Sequence, residues 1–250
     1  MLFDSRYLRK KAQLAAIAFR WSAHLRMGDA RTILRDRVLG YEVLRWEGFD
    51  LGPCKTIIDV GANTSAVSAA FLLVYRPQCL IAIEPHPELV PALRRRFANA
   101  PCVRVVDAAA SDSPGRVPFF LQDFNAASSL FPIHAGYLAS AGLPEGSRRV
   151  EVQARRLDDI AEEAGLGAVD LLKLDCQGSE LRALLGAPNL LQRTRAVLTE
   201  VTFEPVYAGG AMFSEVHSLL RGRGFRLNRL DHMGGIRGGI DQADALYLRE

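Results

Sequence analysis

The chain has 250 residues, of which 49% are apolar and 24% charged. That balance suits one large α/β domain, or one domain with a small appendage, and excludes a disordered, collagen-like or linker chain. The net charge of +3 is unevenly placed: residues 1–50 carry 10 Lys/Arg against 6 Asp/Glu, which leaves 21 against 22 elsewhere, so the main body has no nucleic-acid footprint.

Residues 6–27 set Leu14, Ile17, Ala18, Trp21 and Leu25 on one helical face, and residues 30–47 repeat the pattern with Ile33, Leu34, Val38, Tyr41 and Leu44. The spacing predicts a helical N-terminal cap over 1–52, closed at Gly52-Pro53, ahead of a main domain over 53–250. The cap's basic character fits solvated helix faces, an anionic surface, a lid or a dimer contact, and the oligomeric state stays open. Its apolar stretch from Ala12 to Phe19 is too short to span a bilayer, and no signal peptide is expected. Cysteines at 54, 79, 102 and 176 form no CxxC, so neither a disulfide framework nor a zinc site is expected, and a reducing, cytoplasmic location follows.

Strands are predicted at Thr56–Val60, Leu80–Glu84 and Val103–Val106, with helices following the first two. This βαβαβ order predicts a parallel sheet. Two further strand-like pieces, Val117–Leu121 and Val150–Ala154, enclose a loop rich in small residues. Val169–Leu174, then a helix over 179–185, then Ala196–Leu198 continue the sheet, followed by a helix over 212–221. Phe225–Leu230 and Ala243–Leu248 have only a glycine-rich loop between them, so they form an antiparallel hairpin at the sheet edge. The expected fold is therefore Rossmann-like, of the class I methyltransferase type: a seven-stranded, mostly parallel sheet with a C-terminal antiparallel hairpin.

In such a sheet, ligands bind beyond the carboxyl ends of the strands. Four groups are expected on that rim: Asp59-Val60-Gly61-Ala62-Asn63, Glu84, Ser111-Asp112 and Asp175. Gly61 permits a tight turn, and Asn63 tolerates a left-handed backbone. Glu84 is placed to accept hydrogen bonds from a ribose diol. Two cofactors suit a ribose carboxylate here, NAD and S-adenosylmethionine. The NAD fingerprint needs a second glycine that Gly61-Ala62-Asn63-Thr64-Ser65-Ala66 lacks, and an acidic rim suits a cationic ligand better than a dianionic one.

These residues carry a resemblance to the FkbM family of methyltransferases. The matching segments are Asp59 to Asn63, Ile83-Glu84-Pro85-His86-Pro87, Ala110-Ser111-Asp112 with Gly115, Ser128-Ser129-Leu130, Leu157-Asp158, and Asp170 to Asp175 with Gly178 and Glu180. The resemblance spans roughly residues 55–205. It implies methylation from S-adenosylmethionine, usually on oxygen, with natural-product or saccharide hydroxyls as acceptors. It places Asp59, Gly61, Ala62, Asn63, Glu84, Pro85, Ser111, Asp112, Ser129 and Asp175 around the cofactor. Two positions depart from the family pattern: Ser65, where glycine is usual, and Gln177, where glutamate is frequent.

Methyl transfer to an alcohol needs alignment of the acceptor and removal of its proton. Asp175 is the first candidate base, with a cofactor-amine ligand or helix cap as its other reading. Glu200 is the second, with a structural carboxylate as its other reading. The two could share a divalent cation, but no third ligand is evident and no metal is expected. His134 and His232 fall in predicted loops near the rim, as ordinary loop residues or alternative bases. The acceptor is expected to meet the cap and the loops 123–147 and 231–242. An NAD-dependent oxidoreductase and a non-catalytic S-adenosylmethionine-binding module are the alternative functions.

Overall fold

The computed structural model describes residues 42, 51–123, 125–144, 146–235 and 239–250. The helices expected over 6–27 and 30–47, and with them nearly all of the 1–52 cap, lie outside the described residues. Contacts divide the chain into two compact units, residues 1–54 with 65–77, and residues 55–64 with 78–250.

In the first unit, Leu51 and Cys54 are buried and α1 spans Ala66–Val74. Its small and apolar residues Ala66, Ala69, Ala70, Phe71 and Leu73 are buried, and the helix ends as the Tyr75 N–H donates to the Phe71 carbonyl, just ahead of Pro77.

In the second unit, β1 (Thr56–Val60), β2 (Cys79–Glu84), β3 (Val103–Asp107), β7 (Val169–Leu174), β8 (Thr194–Thr202), β9 (Phe225–Gly234) and β10 (Gln242–Arg249) form one sheet in the order β3-β2-β1-β7-β8-β10-β9. The first five strands pair in parallel, and β10 pairs antiparallel with both β8 and β9. Ile57, Ile58, Leu80, Ile81, Leu171 and Leu172 are all buried. Adjacent residues along a strand point to opposite faces, so burial of both means a sheet covered on both sides, as parallel strands require. The order reverses between β1 and β7, which makes their carboxyl ends the switch point of the sheet.

A separate three-stranded sheet holds β4 (Ala109–Ala110), β6 (Arg148–Arg155) and β5 (Gly115–Leu121), in that order. The two strand-like pieces of the sequence pair antiparallel here, outside the main sheet. Phe119, Leu121, Leu130 and Val152 form their own small core. Helices α2 (Val90–Arg96), α3 (Ala135–Ala141), α4 (Leu157–Glu163), α5 (Glu180–Leu185), α6 (Pro188–Gln192) and α7 (Phe213–Gly222) complete the unit.

Three expectations change. The loop of small residues contains α3, and His134 is its N-cap: His134 Nδ1 accepts the Gly136 N–H at 3.2 Å. The terminal hairpin is longer than its hydrophobic runs, so His232 lies on β9 and not in a loop. Helices α4 and α6 went unread, although Asp158 ties them together by accepting the Asn189 and Leu190 N–H groups at the start of α6. No helix among the described residues is long and apolar enough to cross a membrane.

Candidate active site

A cavity of about 630 Å³ opens at the switch point. Its floor is Val60, Gly61, Asn63, Ile83, Glu84 and Pro85 from the ends of β1 and β2, with Asp175, Cys176, Gln177 and Ser179 after β7. Ala108, Ala109, Ala110 and Phe119 supply apolar surface beside the small sheet, as do Ala126 and Leu130 next to Ser128. Among the described residues the lining carries two carboxylates and no Lys or Arg.

On the β1–β2 side the main chain does the holding. Gly61 has φ 75°, and a Cβ built there would stand 1.8 Å from the Asp175 carbonyl oxygen, so no other residue fits. The Gly61 and Ala62 N–H groups donate to the Ile83 carbonyl at 3.0 and 3.1 Å. Asn63, at φ 45°, then turns its own N–H onto Glu84 Oε2 at 2.7 Å, while the His86 N–H donates to Oε1 at 2.8 Å. Burial pushes the Glu84 carboxyl up to about 7, and these two donors oppose the shift. Asn63 lines the cavity, and its Oδ1 is buried with no hydrogen-bond partner.

On the β7–β8 side, side chains hold one another. Lys173 is buried, with Nζ 3.1 Å from Asp59 Oδ1 and 3.6 Å from Asp175 Oδ2, and it donates to the Gly61 carbonyl at 3.2 Å. Burial alone would lower its pKa, but Asp59 and Asp175 hold it above the usual lysine range. Gln177 Nε2 donates to Asp175 Oδ1 at 2.7 Å and to Glu200 Oε2 at 3.1 Å, and its Oε1 accepts the Tyr207 hydroxyl at 2.5 Å. Burial first, then the charges of Asp175, Glu180 and Asp244, push the Glu200 carboxyl well above the ordinary range. Burial likewise raises Glu180 to about 7, although its Oε1 accepts the Cys176 N–H at 2.8 Å.

Gly61, Asn63, Glu84, Pro85 and Asp175 therefore converge on the cavity, while five other residues expected around the cofactor do not line it. Asp59 is fully buried behind Lys173. Ala62 is buried, its N–H turned to Ile83. Ser111 donates its N–H to the Arg155 carbonyl, and its own carbonyl packs on Gly186, because β4 carries the chain into the small sheet. Asp112 follows it outward, exposed, accepting the Ser111 hydroxyl at 2.9 Å. The Ser129 hydroxyl donates to the Gln177 carbonyl at 2.5 Å, so its neighbour Ser128 lines the wall instead. Glu200 reaches the cavity only through Gln177. Tyr207 and Lys173 are the residues to which sequence reasoning gave no role, and Gln177, singled out there as a departure from the family pattern, gains its partners only in the fold. The positive φ of 57° at Gln177, just before a glycine, is where a turn signal would have pointed. Among the described residues, no group of three or more His, Cys, Asp or Glu is arranged to hold a metal ion.

The Methyltransferase FkbM domain model matches residues 59–227. The chain is 32% identical over 225 residues to the 31-O-demethyl-FK506 methyltransferase FkbM of Streptomyces tacrolimicus, covering 81% of this chain and 84% of the relative. It is 26% identical over 174 residues to the 2-O-methyltransferase NoeI of Sinorhizobium fredii, covering 67% and 72%. Among solved structures, it resembles the methyltransferase FkbM from Methylobacillus flagellatus with a TM-score of 0.52 at 16% identity, covering 97% of this chain and 59% of that one. Aeropyrum pernix fibrillarin, solved with natively bound S-adenosyl-L-methionine, matches with a TM-score of 0.50 at 10% identity, covering 84% and 74%. At these identities the two structures establish a shared class I methyltransferase-like α/β fold.

Proposed function

The chain belongs to the FkbM methyltransferase family, and on that premise we propose that it transfers a methyl group from S-adenosylmethionine to a hydroxyl of a small natural product or saccharide. The observation that carries this reading is the chemistry of the cavity wall: among the described residues it holds two carboxylates, Glu84 and Asp175, and no cationic side chain. A pyrophosphate would find no positive partner there, whereas a ligand bearing an ammonium, a sulfonium and a ribose diol finds acceptors. The relatives' names, a 31-O- and a 2-O-methyltransferase, support oxygen as the acceptor atom.

Glu84, its carboxylate aimed by the Asn63 and His86 N–H groups, is the acceptor for the ribose hydroxyls. Gly61 keeps the turn low enough for backbone to approach. S-adenosylmethionine, when bound, supplies an electrophilic methyl group whose C–S bond breaks with its electron pair left on sulfur as the acceptor oxygen forms the new C–O bond. The chain's task is then to align that oxygen, keep water out and take up the hydroxyl proton. Asp175 is the group for that last role. It lines the cavity, its side chain is 41% exposed, and Lys173 Nζ stands 3.6 Å behind it.

Equilibrium binding of labelled S-adenosylmethionine and of NAD to the full chain is the first test. Tight binding of the former alone is expected, and preference for NAD overturns the reading. Incubation with a panel of methyl glycosides and macrolide alcohols should then yield a methyl ether. Binding without any turnover across a broad panel would instead favour the non-catalytic module.

A further inference from the structure

Gln177 stands at a crossing of four segments. Its amide bonds Asp175 and Glu200, its Oε1 accepts from Tyr207, and its carbonyl accepts from Ser129. The Tyr207 ring packs on Gly178, where an added Cβ would meet it at 3.1 Å, so the phenol is fixed in place. The amide's orientation follows from its partners. A phenol kept protonated by burial donates to Oε1, which leaves both Nε2 hydrogens for the two carboxylates. The reverse orientation would set a carbonyl oxygen against two carboxylate oxygens. Glutamate at this position would make three carboxylates converge.

We propose that Gln177 is a positioning residue for methyl transfer: its neutral amide, oriented by Tyr207, joins Asp175 and Glu200 into one pair, with the negative charge kept on Asp175 at the cavity and the proton kept on Glu200 behind it. The inference rests on the reading of Asp175 as proton acceptor. In the transfer, the acceptor's O–H bond breaks as its oxygen gains the methyl carbon. The proton passes to the Asp175 carboxylate and leaves to solvent after turnover, while Glu200 holds its proton throughout. Charge around the pair comes from every side. Asp175, Glu180 on α5 and Asp244 on β10 oppose an anion on Glu200, while Lys173 on β7 stands 3.6 Å from Asp175 and 3.1 Å from Asp59. The Tyr137 and Tyr207 hydroxyls and Asp241 complete the surroundings. Lys173 makes its contact to Asp175, at 3.6 Å, while burial pushes the Glu200 carboxyl toward its protonated form.

The deciding readout needs no acceptor. In the full chain bound to S-adenosylhomocysteine, the Gln177 side-chain amide signals are followed by nitrogen-15 NMR across pH. A titration step is expected that disappears in Asp175→Asn, persists in Glu200→Gln, and whose midpoint moves in Tyr207→Phe. An amide that ignores pH, or a step that survives Asp175→Asn, overturns the proposal. Where a methyl glycoside turns over, Gln177→Glu should lower kcat about tenfold at pH 7 and move the acid limb of the profile up by about one unit, since a like charge raises the base's pKa. KM for S-adenosylmethionine should stay within about threefold, as an effect made through Asp175 falls on kcat. An unmoved limb, or equal losses in kcat and cofactor affinity, overturns it. Tyr207→Phe, which removes one oxygen, keeps the test intact if Gln177→Glu misfolds. Failure of the wild-type chain to bind S-adenosylmethionine overturns the proposed function itself, whereas retained binding with a silent amide overturns only the role of Gln177.

Discussion

On the β1–β2 side of the cavity a carboxylate is held by main-chain N–H groups, whereas on the β7–β8 side carboxylates are held by other side chains. The first arrangement depends on backbone shape and tolerates little change in it. The second depends on the identity and charge of residues that meet only in the fold. Rigid backbone suits recognition of a fixed cofactor, and a charge-balanced side-chain cluster suits a step in which a proton must move.

The largest expected break lies on the main-chain side. Gly61→Ala drives a methyl into the Asp175 carbonyl, which belongs to packed strand-end backbone and cannot swing away. A loss of about 4 kcal/mol or more is expected from denaturant midpoints. Near-normal stability would mean that the turn can be rebuilt. Asp175→Asn tests the side-chain side: kcat should fall by about 10²–10⁴-fold while the Kd of S-adenosylmethionine stays within about threefold. A well-folded, active variant removes Asp175 as proton acceptor. Next comes Glu84→Ala, for which a cofactor Kd raised more than about tenfold is expected by calorimetry, since a charge-assisted hydrogen bond contributes about 1.5–3 kcal/mol. Because burial raises the Glu84 carboxyl to about 7, wild-type affinity should weaken as pH falls through 7. The variant should lose that dependence.

The difference between the two sides also decides how much was legible in the sequence. Gly61, Asn63 and Glu84 announce themselves locally, as turn residues and a carboxylate where β-branched runs stop. Hydrophobic periodicity likewise located every strand of the main sheet, with its ends off by a few residues. The Gln177 cluster joins residues 23 and 30 positions apart, and no spacing rule links a glutamine to a distant tyrosine. Ser111 and Asp112 were expected on the rim because a strand precedes them. The two-residue β4 turns them into another sheet, and so short a pairing leaves no periodic mark. Helix α6, at five residues, is too short for an amphipathic pattern to emerge.

Glu180 sharpens the comparison through pH. Its folded-state pKa is raised from 4.5 to about 7, so between those values the native chain holds a proton that the unfolded chain has lost. Stability from this group therefore falls as pH rises from 4.5 to 7, and the penalty is complete above 7. Glu180→Gln keeps an oxygen to accept the Cys176 N–H and removes the buried charge. It should raise stability by about 2 kcal/mol at pH 8 and change it little near pH 4.5, as Tm measured at the two pH values would reveal. Equal Tm changes at both would place the effect in packing, and the side-chain cluster would then owe less to charge than its geometry indicates.

The smallest effect concerns Ser65. It caps α1 at φ 69°, in the left-handed region, and makes no side-chain capping bond to the helix. A residue with a Cβ pays about 1–2 kcal/mol in that region, and glycine does not. Glycine also widens the unfolded ensemble, which returns part of the gain. Ser65→Gly should therefore raise stability by no more than about 1 kcal/mol, read as a small rise in Tm. Asn63→Gly, two residues earlier at φ 45°, relieves less strain, because asparagine tolerates this region, and removes a cavity-lining side chain with its buried, unpartnered Oδ1. It should gain less stability than Ser65→Gly while losing cofactor affinity. If Asn63→Gly kept full affinity, the unpartnered oxygen would be a by-product of the turn, and recognition on the main-chain side would rest on Glu84.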